Sequence, residues 1–96
     1  MHLEIITPEK KIFAGEATAV QFPGLDGSFQ VLNDHAPIIS SLSEGEVKVD
    51  LTSSFENTGN SDELLNVDPS NSKVIRVKVK GGIVEMQNNK VIVLAE

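Results

Sequence analysis

Two residues whose types suit catalysis, Asp34 and His35, stand side by side in the stretch GSFQVLNDHAPII. In a nucleophilic site an aspartate orients the histidine that activates a serine, and Ser40 and Ser41 follow nearby. Neighbouring residues of an extended chain point to opposite sides, so Asp34 is badly placed to orient the His35 imidazole. The Gly-x-Ser-x-Gly motif of serine hydrolases is also absent. A hydrolase built on Asp34 and His35 is therefore the weakest hypothesis, and His35 is interpreted as a structural or surface residue.

The chain also lacks the patterns that bind metals and cofactors. It has two histidines and no cysteine, which provides no spacing of ligands for zinc. Its acidic stretches lack the Asp-x-Asp-x-Asp-Gly pattern of a calcium loop. The stretch FPGLDG has two glycines but lacks the helix start and the Lys-Ser/Thr of a phosphate-binding loop. We therefore predict no catalytic residue, no metal and no cofactor.

The charge and hydrophobicity of the chain exclude two further classes of partner. The formal net charge is −6, whereas a nucleic-acid-binding protein needs a basic surface to replace the counterions of the phosphates. No apolar run approaches the roughly 18–20 residues of a membrane-spanning helix. The N-terminal residues also lack the basic region and long apolar run of a signal peptide. We predict a cytoplasmic domain without a nucleic-acid partner and without direct insertion into a membrane.

Alternation of apolar and polar residues predicts strands along the chain and no helix. The clearest examples are EVKVDL and KVIRVKVK, in which aliphatic and charged side chains face opposite sides. A short strand is predicted to end at Gly15, and the next, EATAVQF, to place Thr18, Val20 and Phe22 on one face. The stretch VIVLA is nearly all apolar, which predicts a central strand buried on both faces.

Many short strands in 96 residues predict one all-β domain over residues 1–96, a small β-sandwich or flattened barrel of mostly antiparallel strands. Consecutive asparagines at Asn88-Asn89 tolerate positive φ and predict a tight hairpin turn. The segment Thr52–Ser72 is polar and long for a loop inside a compact domain. We interpret it as a polar insertion or the mobile tip of a long hairpin. The alternative is a flap that contacts a partner through Leu64 and Leu65.

An ordered series of motifs resembles a known family. A first strand ending in Thr-Pro is followed by IFAG, a Val-x-Phe strand, a Gly-x-x-Gly turn, and HAP before two aliphatic residues. SEGEVKV comes next, and KGGIVEMQNNKVIVLAE closes the series with a Gly-Gly hairpin and a Val-x-Val-Leu-Ala strand. In this order, over residues 3–51 and 73–96, the chain resembles the N-terminal β-sandwich domain of the epsilon subunit of rotary F-type ATP synthases.

The resemblance implies a non-catalytic subunit of the ATP synthase central stalk. Such a subunit turns with the rotor, binds the gamma subunit and the polar loops of the c-ring, and couples proton flow to ATP synthesis. It lies peripherally at the cytoplasmic face of the bacterial inner membrane. Carried over by position, the resemblance implies a c-ring-facing edge that comprises Gly24, Asp26, Ser28, Gln30 and His35. Since Ser28 stands where the family commonly has a carboxylate, Asp26 is the residue expected to supply the charge.

The chain departs from many family members at its end. It stops at Glu96, where those members continue into a helical hairpin that inhibits ATP hydrolysis and in some cases binds ATP, so neither property is predicted here. Apolar area at the c-ring edge is expected from Phe22 or Leu25, if either is exposed. The alternative function is a free-standing β-sandwich module that binds a small ligand or carbohydrate. It is disfavoured because the chain has no Trp or Tyr to line such a site.

Overall fold

A computed structural model describes residues 1–55 and 63–96, and within these ranges the chain forms strands, turns and loops without a helix. This confirms the all-β prediction. The strands are β1 (His2–Ile6), β2 (Lys11–Gly24), β3 (Gly27–Leu32), β4 (Ile38–Leu42), β5 (Gly45–Leu51), β6 (Leu65–Asp68), β7 (Asn71–Val79), β8 (Gly82–Gln87) and β9 (Lys90–Ala95).

The strands form one continuous sheet that folds into two layers, and β2 belongs to both. The second half of β2 lies between β3 and β5, and β7 and β6 continue this layer, which we call sheet I. The first half of β2 pairs with β1, and β9, β8 and β4 continue the other layer, sheet II. All these pairings are antiparallel except that of β1 with β9. The arrangement confirms the predicted sandwich of mostly antiparallel strands.

The structure corrects two predictions about β2. The strand break predicted at Gly15 does not occur, because β2 runs through it without interruption. Thr18, predicted to share a face with Val20 and Phe22, is exposed, and its Oγ1 donates a hydrogen bond to the Asp50 carbonyl at 3.2 Å. The pairing of β2 with β5 shifts register around Thr18. Such a bulge bends a strand and reverses the alternation beyond it, which a strict period of two does not anticipate.

Apolar side chains of the two layers meet in one core. The inward faces predicted for EVKVDL and KVIRVKVK are confirmed, since the residues predicted to face inward are all buried: Val47, Val49, Leu51, Ile75, Val77 and Val79. Burial of one such side chain contributes about 1.5–3 kcal/mol, so this core is the main source of stability. Its largest fully buried side chains are Leu3, Ile5, Val20, Phe22, Val31, Val47, Val49, Ile75, Val77, Val84, Met86 and Val91. Among the described residues, every buried side-chain nitrogen or oxygen has a hydrogen-bond partner.

The prediction that VIVLA is buried on both faces is wrong. Val91 and Val93 are fully buried, but Leu94 is 55% exposed and Ile92 is half-buried. The strand β9 does lie between two neighbours, β1 and β8. Within the described residues, however, the rest of the chain covers only one face of sheet II.

The segment Thr52–Ser72 contains a strand that the alternation did not reveal, β6, which pairs with β7. Leu65 is buried and Leu64 packs against the core, so this chain already occupies both of the side chains considered as anchors for a partner. Phe55 also packs against the core, with its ring centroid 6.5 Å from that of Phe13. The middle of the segment, residues 56–62, lies outside the described residues.

Tight turns close the hairpins where the residue types predicted them. Asn88 and Asn89 have φ angles of 54° and 58°, which confirms the predicted hairpin between β8 and β9. Gly82 has a φ of 139°, and a Cβ there would lie 2.2 Å from the carbonyl oxygen of Leu94. Gly27 has a comparable φ of 119°, but open space surrounds the position of its Cβ. Substitution of Gly82 would therefore cause both backbone strain and a steric clash, whereas substitution of Gly27 would cause backbone strain alone.

Replacement of Gly82 by Ala is expected to lower the free energy of unfolding by more than about 3 kcal/mol, because strain and overpacking add. The matched control, Gly27→Ala, introduces only backbone strain, so its free energy of unfolding should fall by about 1 kcal/mol. Urea unfolding followed by circular dichroism measures both losses. Equal losses in the two variants would show that the contact with Leu94 does not constrain the chain.

Candidate protein-binding surfaces

Asp34 and His35 form part of an exposed loop that ends before β4. Asp34 has a φ of 60°, and its N–H donates a hydrogen bond to Asn89 Oδ1 at 2.8 Å. The His35 N–H donates to the Leu32 carbonyl at 3.2 Å, and His35 Nδ1 lies 2.7 Å from the Ala36 carbonyl oxygen. Because a carbonyl only accepts, Nδ1 carries the proton in this contact. The imidazole is thus bonded to the backbone of its own loop.

The described part of the chain contains no group of three or more histidine, aspartate or glutamate side chains arranged to hold a metal ion. It also contains no helix that is long and apolar enough to cross a membrane.

The five residues assigned to the c-ring-facing edge follow β3 from one end to the other. Among the described strands, β3 pairs with β2 alone, which makes it an edge of sheet I. Gly24 ends β2, Asp26 lies in the turn that follows, and Ser28 lies near the start of β3. Gln30 lies within β3, and His35 lies in the loop beyond its end. At about 3.3 Å per residue, the two ends of β3 are roughly 16 Å apart. One compact contact would therefore include the first three residues but not His35.

The exposure of these residues differs. Gly24 is buried, whereas Asp26, Ser28, Gln30 and His35 are exposed. Of the two apolar residues expected to add area at this edge, Phe22 is fully buried and Leu25 is 65% exposed. Leu25 and Asp26 form the tip of the β2–β3 turn, so this tip presents one apolar and one acidic side chain together.

Apolar side chains also cover the outer surface of sheet II. Ile39 is 76% exposed, Leu94 55% and Ile83 47%. They share this surface with Ile6 and Ile92, which are half-buried. The register places Ile6, Leu94 and Ile83 side by side on adjacent strands. We call these five residues the apolar face.

The outer surface of sheet I is mostly polar by contrast, although Leu32 of β3 is 54% exposed there. A row of polar side chains crosses all five of its strands in register, namely Gln30, Gln21, Lys48, Arg76 and Asn66. The two outer surfaces of the sandwich therefore differ in chemistry. Contiguous exposed apolar side chains on a small domain mark a protein-binding site. The apolar face is thus the main candidate, with the tip of the β2–β3 turn at its margin, where the Leu25 N–H donates to the Ser41 carbonyl at 3.2 Å.

Sequence reasoning missed the apolar face because it predicted burial on both faces for the strand that contains Ile92 and Leu94, and it assigned no face to Ile6, Ile39 and Ile83. A usable signal was present in VIVLA, which is apolar at both alternating positions. In a two-layer sandwich, such a strand must expose one of its apolar faces to solvent or to a partner.

An ion pair joins β6 and β7 at the border of the polar surface. Arg76 Nη1 lies 2.7 Å from Asp68 Oδ1. The Ser70 Oγ and N–H groups donate to Asp68 Oδ2 at 2.7 and 3.0 Å. These hydrogen bonds, chiefly that from the Ser70 hydroxyl and then that from Arg76, lower the pKa of Asp68 from 3.8 to about 2. Asp68 therefore stabilises the folded chain while it is ionised.

The pKa of Asp68 predicts a pH dependence of stability. Because the folded-state pKa is lowered, the contribution of Asp68 is complete above pH 3.8 and is lost as the pH falls towards 2. Replacement by Asn, which cannot ionise, should make the decline of the melting temperature between pH 4 and 2 less steep. Asp26→Asn in the exposed turn is the control. A decline as steep as in the unmodified chain would mean that the Asp68 contacts do not act in solution.

Comparison with known proteins shows the family of the chain. Residues 1–58 match the family model described as "ATP synthase, Delta/Epsilon chain, beta-sandwich domain". The match covers more than half of the chain, and the chain belongs to this family of ATP synthase delta and epsilon subunits. This confirms the resemblance found in the sequence.

Relatives with the name ATP synthase epsilon chain align along almost the whole chain. The protein from Chlorobium limicola is 35% identical over 94 residues, which cover 98% of this chain and 86% of the relative. The protein from Salinibacter ruber is 36% identical over 94 residues, but these cover only 56% of its length. The chain thus spans most of some relatives and about half of others.

A solved structure confirms the fold. It is a chain of the Tetrahymena thermophila mitochondrial ATP synthase, in a cryo-EM structure of the central stalk and c-ring. The TM-score is 0.69 at 19% identity, over 99% of this chain and 62% of that chain.

Proposed function

We propose that this chain is a non-catalytic rotor subunit of a proton-translocating ATP synthase. It binds the gamma subunit and the polar loops of the c-ring, and it couples proton flow to ATP synthesis without an active site of its own. Membership of the delta and epsilon family supports this role, as does the likeness to a chain from a central stalk and c-ring structure. The chain is then a peripheral component of the complex at the cytoplasmic face of the bacterial inner membrane.

The apolar face is the observation that carries the proposal. A subunit that transmits torque needs an interface with an apolar centre that excludes water and a polar rim that fixes orientation. Ile39, Ile83 and Leu94 provide the centre on sheet II. Glu85, which pairs with both Ile39 and Ile92 across the strands, and Glu4 of β1 provide charged groups among them. We assign the apolar face to the gamma subunit.

The contact with the c-ring is assigned to the β3 edge, centred on the β2–β3 turn. Asp26 supplies the carboxylate that Ser28 lacks, and Leu25 supplies exposed apolar area next to it. Gln30 extends this contact along β3. His35 lies too far along the edge to join the same compact contact, so its part in the proposal is to shape the loop before β4. The mechanism is mechanical, since a rigid sandwich with two separate contact surfaces holds the stalk on the ring.

Co-expression with the gamma subunit of the same organism tests the proposal. The two chains are expected to purify as a stable complex. Replacement of Ile39 or Leu94 by Asp should weaken this complex by more than about tenfold, because each places a charge at the centre of the interface. The matched control is Gln21→Asp, which introduces the same residue at an exposed strand position on the polar surface. Isothermal titration with purified gamma measures the affinities.

Two results would count against this assignment in different ways. If the unmodified chain does not associate with folded gamma, the rotor function itself is refuted. If it associates but Gln21→Asp weakens the complex as much as Ile39→Asp, gamma does not bind the apolar face.

A further inference from the structure

The β2–β3 turn carries the exposed tip of the proposed c-ring contact, and its shape depends on the residues on either side. Gly24 and Gly27 pair with each other and enclose the two-residue tip of Leu25 and Asp26. The tip protrudes from the edge strand, and Leu25 is 65% exposed. An exposed tip of this kind keeps a defined position only if neighbouring groups hold its base.

Backbone hydrogen bonds hold one side of this base. The Leu25 N–H donates to the Ser41 carbonyl at 3.2 Å, and the Ser43 N–H donates to the Pro23 carbonyl at 2.7 Å. The Ser43 hydroxyl donates to the same Pro23 carbonyl at 3.1 Å. These bonds connect the turn to the end of β4 and thus to sheet II, which carries the apolar face.

The ring of Phe29 holds the other side. It packs against the buried Phe22, with ring centroids 5.4 Å apart and an angle of 33° between the ring planes. The same ring lies over the backbone of Gly24, where a Cβ would be 2.9 Å from a Phe29 ring carbon. That Cβ would also be 2.6 Å from the Gly27 carbonyl oxygen. Gly24 thus leaves room for the aromatic ring and for the close approach of the two strands.

We infer that Phe29 is a positioning residue for the c-ring contact, and that its ring, seated on Gly24, holds the Leu25–Asp26 tip in its binding position. The inference rests on the proposed function. It also changes the role of Gly24, which is buried and acts through Phe29 rather than by touching the ring of c subunits. Phe29 also lines the groove between the turn and β4, together with Leu25 and Ser41.

A purely structural role for Phe29 would lower stability without a specific effect on the turn. The Leu25 amide distinguishes the two roles, because its hydrogen bond to Ser41 slows hydrogen exchange only while the tip is held. Phe55 provides the matched control, since it too is half-buried and tilted against a buried phenylalanine, Phe13, at 6.5 Å. Gly45, at the first end of β5, packs beside Pro23 near the β2–β3 turn. Phe55 follows the other end of β5 and therefore lies away from the turn.

The variants to compare are Phe29→Ala, Phe29→Leu and Phe55→Ala, each in the free chain and in complex with gamma. Phe29→Ala should speed exchange of the Leu25 amide and weaken binding of the gamma complex to purified c-ring, each by about tenfold, the upper range for loss of an aromatic pair. Its affinity for gamma should stay unchanged. Phe29→Leu should restore most of both properties, and Phe55→Ala should change neither beyond its effect on stability.

Gly24→Ala provides an independent variant, since its Cβ displaces the same ring. It should weaken c-ring binding at least as much as Phe29→Ala does, because its Cβ would also meet the Gly27 carbonyl oxygen. If Gly24→Ala does not fold, comparison of Ala with Leu at position 29 still decides the question.

Two outcomes would overturn the inference. If the gamma complex of the unmodified chain does not bind c-ring, the proposed contact fails and the positioning role fails with it. If the unmodified complex binds, but Phe29→Ala binds equally well at the same folded fraction, the contact stands and the positioning role alone is refuted.

Discussion

Hydrogen bonding of β2 to both layers is the constraint on which the other features of the domain depend. One half of the strand pairs with β1 and the other half with β3 and β5, and the register shift around Thr18 lies where the partners change. A bulge increases local bend and twist, so one strand can leave one layer and enter the other. The core closes between the layers, and the β2–β3 turn is brought to the end of β4.

The two outer surfaces follow from this arrangement, but their chemistry is independent of it. Either surface would be compatible with the same core, because side chains on opposite faces of a strand do not contact each other. Sheet I has a polar outer row, whereas sheet II has isoleucines and a leucine. Exposure of these isoleucines and this leucine to solvent does not stabilise the isolated chain. This is the physical reason to assign a partner to the outer surface of sheet II. The shallow outer surfaces of a small rigid sandwich suit a subunit that works by contact.

Much of the fold could be predicted from local pattern. Alternation identified the inward residues of β5 and β7, and Asn88-Asn89 identified a turn whose positive φ angles the structure confirms. Alternation failed around Thr18, because one inserted residue reverses the faces while leaving the composition unchanged. It also failed at Leu94, since an apolar residue facing a partner has the same signal as one facing the core.

The candidate site was less predictable than the fold. Resemblance to a family supplied Gly24, Asp26, Ser28, Gln30 and His35 by position, and no periodicity distinguishes them from other loop and edge residues. Only the folded chain shows that Gly24 is buried and that His35 lies at the far end of β3. The contact of the Phe29 ring with Gly24 depends on the register of β2 and β3, which the linear sequence does not show.

The parallel pairing of β1 with β9 also has a consequence for how the chain acquires its structure. These strands lie near opposite ends of the described chain, and their contact joins residues such as Leu3 and Val91. Contacts between residues so distant in sequence require a large loop to close first, and they slow folding. During synthesis, β1 can pair with β2, but it lacks its second neighbour, β9, until residues 90–95 have left the ribosome. Sheet II, and with it the apolar face, is therefore the last part of the domain to be completed.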